Sequence, residues 1–201
     1  DLTRPNDGRL PRRSHNLRLT WQASEKNKFN FYHDRQPDCY CPQIYDGLIA
    51  PEAMGNHVTR PHHLTQATWS HPATNRLLFE GGITYYRFGL DYLENTGVGL
   101  NDIAVVEMSN AMQLNSRVTS IRAGNAYGRI LDIQSNGRLA MSYVTGSHNF
   151  KTGLFLQRAS AEQVARIHGD VTYLFLNGVP QSIIQWASPG VNSTLALTTG
   201  L

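Results

Sequence analysis

Asn16-Leu17-Arg18-Leu19-Thr20-Trp21-Gln22-Ala23-Ser24 runs into Glu25-Lys26-Asn27-Lys28, and Phe29-Asn30-Phe31-Tyr32-His33-Asp34 follows. In the first segment the odd positions are apolar and the even ones polar. Successive side chains of a strand point to opposite faces, so this period of two describes a strand with one oily and one wet face. The polar tetrapeptide is a turn, and the last segment returns beside the first. An amphipathic hairpin over 15–36 is therefore expected, lying over a core or forming part of a barrel wall.

The rhythm recurs along the chain. A second hairpin is expected over 64–88, rising through Thr68-Trp69, turning at Ser70-His71-Pro72-Ala73-Thr74 and returning from Asn75. In the return strand Leu77, Phe79, Gly81, Ile83 and Tyr85 share one face, and Glu80, Gly82, Thr84 and Tyr86 the other. A third covers 138–157, with its turn at Gly146-Ser147-His148-Asn149. A fourth covers 171–188 about Asn177-Gly178-Val179-Pro180, where Asn-Gly is a strong hairpin signal. Residues 37–61 hold four prolines and read as a long loop. Residues 89–136 read as a second long connection, with short strands or a helical turn near 102–114, and 158–168 carry a weak helical pattern. The polar start, 1–14, reads as loop or tail.

Composition narrows the classes. The chain has 201 residues, of which 40% are apolar and only 16% charged, below the roughly 25% usual for soluble domains. The net charge of +3 is scattered and Arg12-Arg13 is the one adjacent basic pair, which argues against a nucleic-acid partner. No apolar run approaches the ~20 residues of a membrane helix, a test that leaves β-barrels untouched. The sequence opens on Asp1 without an initiator Met or a signal peptide, and reads as a piece of a longer protein.

The chemistry-bearing residues form no catalytic signature. Cys39 and Cys41 are the only cysteines, and both an intraloop disulfide and two separately held thiols fit that spacing. With His33 or His57 added they match no zinc motif. His62-His63 and His71 fall in no metal-binding pattern, and Gly97-Val98-Gly99 lacks the third glycine of a nucleotide fingerprint. With no nucleophile–base constellation, a non-enzyme without cofactor or metal is expected.

Two features favour a membrane wall. Thr20-Trp21, Thr68-Trp69 and Ser142-Tyr143 place a hydroxyl and an aromatic shortly before a turn, and Asn27, Asn75 and Asn149 recur in those turns. Aromatics at one height are what an interfacial girdle requires, although aromatics favour strands generally. Short turns also alternate with connections of tens of residues, as in outer-membrane barrels, whereas sandwiches space their turns evenly. The expected fold is all-β: an antiparallel transmembrane β-barrel segment of meandering hairpins with long extracellular loops, one unit over 1–201.

At His15 through Gln22, Lys28-Phe29-Asn30, Leu64 through Trp69, Thr74 through Gly82, Met141 through Gly153 and Leu176 through Ser182, the chain resembles the barrel of TonB-dependent outer-membrane receptors. The likeness is to the acidobacterial type that carries a carboxypeptidase-regulatory-like domain. The family's plug and TonB-contacting box have no counterpart here. The resemblance implies an outer-membrane location, uptake of a small nutrient ligand, and partnership with lipid, the rest of the barrel, a plug and the TonB complex. Turns at 25–28, 71–74 and 146–149 would face the periplasm, with 37–61, 89–136 and 158–190 outside. Leu17, Leu19, Trp21, Trp69, Leu77, Phe79, Ile83, Tyr143, Phe150, Leu154 and Leu156 would face lipid or form the girdle. Arg18, Thr20, Gln22, Glu80, Thr84, Lys151 and Gln157 would line the lumen. The competing expectation is an extracellular soluble β protein that binds glycan or builds a surface assembly.

Overall fold

The computed structural model describes residues 12–42, 47–60, 62–117, 126–187 and 189–200. It is all-β. The first hairpin forms as the alternation dictates: β1 (His15–Gln22) and β2 (Lys28–Gln36) pair antiparallel in full register. Their turn spans 23–27, where the Ala23 amide donates to the Asn27 carbonyl at 2.9 Å.

After the short strands β3 (Cys39–Tyr40) and β4 (Asn56–Thr59) come β5 (His62–Thr74) and β6 (Leu77–Leu93). The expected reversal at 70–74 is instead strand. A register shift between Pro72 and Thr74 accommodates the proline, which donates no ladder hydrogen bond, and the chain reverses at Asn75-Arg76.

The region expected as one connection over 89–136 divides. β6 continues to Leu93, β7 (Ala104–Glu107) and β8 (Met112–Leu114) follow, and β9 (Tyr127–Thr145) begins well before 138. The third turn tightens to Gly146-Ser147, because His148 already pairs with Thr145. The helical reading of 158–168 is corrected as well. β10 (His148–Arg166) stays extended to Arg166, since Ala159, Ala161 and Ala165 are paired to β9 on one side and β13 (Gly190–Gly200) on the other. Two ladders outweigh the intrinsic helical preference of those alanines. The fourth hairpin is β11 (Val171–Leu176) with β12 (Val179–Gln185). It turns on Asn177-Gly178 alone, with φ of 52° and 78°, the left-handed pair that Asn-Gly supplies at little cost.

Among the described residues the main sheet has nine strands in the order β1-β2-β5-β6-β9-β10-β13, with β4 on the upper part of β6 and β3 beside β4. All its pairings are antiparallel. Among the described residues it does not close: β1 and β13 each have one paired edge. The tight turns 23–27, 75–76 and 146–147 lie at one end. At the other end a four-stranded sheet, β12-β11-β7-β8, forms a cap, with β11 parallel to β7.

Buried apolar residues gather at the cap end: Ala50, Ala53, Met54, Tyr92, Ala104, Ala126, Tyr127, Ala165 and Ile167. Thr172, fully buried in β11, accepts a hydrogen bond from Trp186 Nε1 at 3.0 Å. Toward the turn end no described element covers the strands, and β1 is exposed along its whole length.

Candidate functional site: a two-faced sheet

The register assigns every strand residue to a face, because cross-strand partners point the same way. The row Trp21–Phe29–Trp69–Gly81–Leu139–Leu154 runs unbroken across six strands. Beside it, Leu19–Phe31–Ala67–Ile83–Gly137–Leu156 does the same. Nearer the turns the same face carries Leu77, Phe79, Met141, Tyr143 and Phe150. All the residues expected at lipid or in the girdle therefore share one face. Arg18, Thr20, Gln22, Glu80, Thr84, Lys151 and Gln157 all fall on the opposite face.

The apolar face is open to solvent. Trp21 is 65% exposed, Ile83 66%, Leu139 60%, Phe150 60% and Leu197 of β13 72%. Its turn end is an aromatic layer. Trp21 stacks on Phe29 at 5.6 Å and Trp69 on His71 at 5.7 Å. Asn27 Oδ1 accepts from Trp69 Nε1 at 3.0 Å and lies 3.0 Å from His71 Nδ1, so the first turn meets the polar edge of that layer. Gly81 gives Trp69 its seat: a Cβ there would stand 3.3 Å from both Trp69 Cε3 and Leu139 Cδ2.

The polar face is cross-linked by hydrogen bonds. Thr20 donates to Asn30 Oδ1 at 3.0 Å, and Asn30 Nδ2 donates to Thr68 Oγ1 at 3.2 Å. Arg18 lies over the Tyr32 ring at 5.5 Å, and Lys151 reaches Glu80 across β9 at 3.6 Å. Exposed pairs of this kind contribute little stability. They do keep charge on one face of the turn-end half of the sheet. Gln66, Thr68, Gly82, Thr84, Asn136 and Arg138 border an open groove of about 380 Å³.

The polarity of the two faces inverts up the strands. On β6 the apolar side Leu77–Phe79–Ile83–Tyr85 gives way to Arg87 and Asp91. On its other side Glu80 and Thr84 give way to Tyr86, Phe88, Leu90 and Tyr92. The switch falls between Tyr85 and Arg87. Counting nine residues from Leu77 to Tyr85, the apolar band extends about 27 Å along the strand.

Above the switch, cap and sheet join through buried polar groups. His168 puts Nδ1 3.1 Å from the Asp102 carbonyl and Nε2 3.3 Å from Glu94 Oε1, and stacks on Tyr127 at 4.6 Å. The Tyr127 hydroxyl accepts the Arg117 amide at 3.3 Å, and Arg117 Nη1 lies 3.3 Å from His57 Nε2. Asp91, Glu94, Arg129, Arg166, His168 and Asp170 line an open pocket of about 740 Å³ beside this joint. Replacing His168 by Ala removes both polar contacts and the ring stack. It is expected to destabilise the joint by about 1–3 kcal/mol, read as faster amide exchange in β7 and β11 than in β5.

Glu107, at the end of β7, holds the cap hairpin. Its carboxylate accepts from the amides of Asn177 at 2.8 Å, Gly178 at 2.9 Å and Ser109 at 3.0 Å, and from the Ser109 hydroxyl at 2.6 Å. The Ser109 hydroxyl and then those amides stabilise the anion and hold its pKa at about 2, below the ordinary 4.5. A depressed carboxylate contributes stability above its unfolded pKa and loses it on acidification. Protection of the Asn177 and Gly178 amides, corrected for intrinsic exchange, is therefore expected to hold at neutral pH. It should fall as pH drops from about 4.5 toward about 2, and Glu107→Gln should lose that pH dependence.

Cys39 and Cys41 are joined as a disulfide in β3 and the residue after it. Among the described residues no group of three or more His, Cys, Asp or Glu is arranged to hold a metal. His33 and His63 stack on the main sheet at 5.6 Å, and His57 lies in the Arg117 cluster. Sequence reading missed Glu107, Arg117, Tyr127 and His168. Their partners lie far along the chain, 74 residues from Glu94 to His168 and 70 from Glu107 to Asn177, so no local period marks them. Comparison with protein-family models, with curated proteins and with solved structures found no match to this chain.

Proposed function

We propose that this sheet is a stretch of outer-membrane β-barrel wall, belonging to a receptor or transporter of the TonB-dependent kind that its hairpins resemble. The uncovered apolar face carries the reading: a contiguous band of Leu, Ile, Phe and Trp across adjacent strands, with polar residues behind it at the same height. Water penalises such a face, whereas bilayer hydrocarbon matches it. Strand tilt of about 40° turns the 27 Å band into roughly 20–25 Å along the membrane normal, close to the apolar height of known barrels. The inversion of polarity above Tyr85 fits a wall that leaves the bilayer there. Above it the outer side meets water and the inner side packs.

On this reading the turns face the periplasm and the cap lies outside, where its pocket of about 740 Å³ offers carboxylate and guanidinium groups to a polar nutrient. The polar face lines a passage that a plug would fill. Hydrocarbon offers no hydrogen-bond partners, so β1 and β13 must each pair with further strands to close the wall. The open edges also fit a second reading, an extracellular assembly in which copies pair edge to edge and bury their apolar faces on each other. Fractionation separates the two. The barrel reading predicts an outer-membrane protein that resists alkaline extraction and requires detergent. A protein soluble and monodisperse without detergent contradicts it.

A further inference from the structure

At the upper edge of the apolar band, the outward face carries arginines and histidines and no carboxylates over two consecutive rows. The register sets His15, Arg35, His63 and Arg87 side by side on β1, β2, β5 and β6. In the row below, His33 and Arg158 flank Thr65, Tyr85 and Ser135. Arg35 and Arg158 are exposed. Nε of Arg87, a donor, and Nδ1 of His63 are buried without a hydrogen-bond partner, so two polar atoms in the patch remain unmet by protein. Beside it, Arg13, Arg35, Arg60 and His62 line an open pocket of about 500 Å³ whose one carboxylate is Asp38.

We propose that this patch binds the phosphate-bearing headgroups of membrane lipid, with acyl chains lying on the apolar band beneath. The inference rests on the membrane-wall reading. Charge complementarity and continuity with the band favour a lipid: a guanidinium row at the edge of an acyl-chain surface matches one molecule carrying phosphate and hydrocarbon together. A soluble anion would gain nothing from Leu17 and Leu197, which flank the His33–Arg158 row, or from Ile83 below it.

The test uses the intact protein that carries this sequence, with vesicles of phosphatidylcholine alone or mixed with phosphatidic acid. Phosphatidic acid should strengthen binding, and R35Q/R158Q, which alters exposed side chains, should lose roughly 30-fold of that gain. R18Q/K28Q removes the same charge from the other face and should lose none. Inorganic phosphate, compared with chloride at equal ionic strength, should not compete. Equal insertion into both vesicles overturns this proposal and leaves the wall reading standing; failure to insert into either overturns both. Loss of the gain in R18Q/K28Q as much as in R35Q/R158Q, or displacement by inorganic phosphate, also overturns it. The first would mean net charge alone acts, and the second a free-anion pocket.

Discussion

Ile83→Arg lowers the stability of the inserted protein by about 1–3 kcal/mol, while Thr84→Arg changes it by less than about 1 kcal/mol. The two positions are neighbours on β6 and differ only in the face they present. Ile83 sits in the upper half of the band, between Ala67 and Gly137, and is largely exposed. Thr84 accepts a long hydrogen bond from Gln66 at 3.5 Å and borders the polar groove. In water an arginine at exposed Ile83 would be the milder change, since it removes apolar surface from solvent and disturbs no core. In a bilayer it places a guanidinium within the hydrocarbon, above the midplane. The sign of the difference between the variants, from reversible urea unfolding in phosphatidylcholine vesicles, thus reports the solvent of that face. Equal and small effects would place both faces in water.

Gly128→Ala costs about 3 kcal/mol or more and acts on the cap joint. Gly128 has φ of 139°, a region that residues with a side chain rarely adopt, and a Cβ there would overlap the Val164 carbonyl on β10. Neither atom is the end of a flexible side chain; both belong to paired backbone, so the strands must part. Tyr127 precedes Gly128, stacks on His168 and accepts from Arg117, and its position depends on that turn of backbone. The expected result is loss of amide protection at the start of β9 and the end of β10, with β1 and β2 unchanged. A variant as protected at Ala165 as the parent would show that the ladder tolerates the side chain.

The hairpins were legible because their cause is local. Leu17, Leu19 and Trp21 alternate with Arg18, Thr20 and Gln22, and a period of two needs no knowledge of partners. The upper halves of β6, β9 and β10 were not. At Tyr85–Arg87 the faces exchange character, so a pattern followed from Leu77 breaks where the strand continues. Ala159, Ala161 and Ala165 bear no sign of a strand in themselves; β9 and β13 make one of them. Turn positions slipped by a few residues for a related reason. Pro72 reads as a reversal, yet a register shift absorbs it. The cap joint is more remote still, since His168 and Glu94 meet only after the sheet has formed.

Lipid-phase quenching of a fluorophore placed singly at Ile83 or at Thr84 tests the central claim most directly. Cys39 and Cys41 are bonded to each other and leave an introduced cysteine as the labelling site. With the protein in vesicles, nitroxide on the acyl chains should quench the label at position 83 strongly and that at 84 weakly. Aqueous iodide should do the reverse. Iodide quenching at 83 as strong as at 84, with no effect of the lipid nitroxide, would contradict the account of this sheet as a membrane wall.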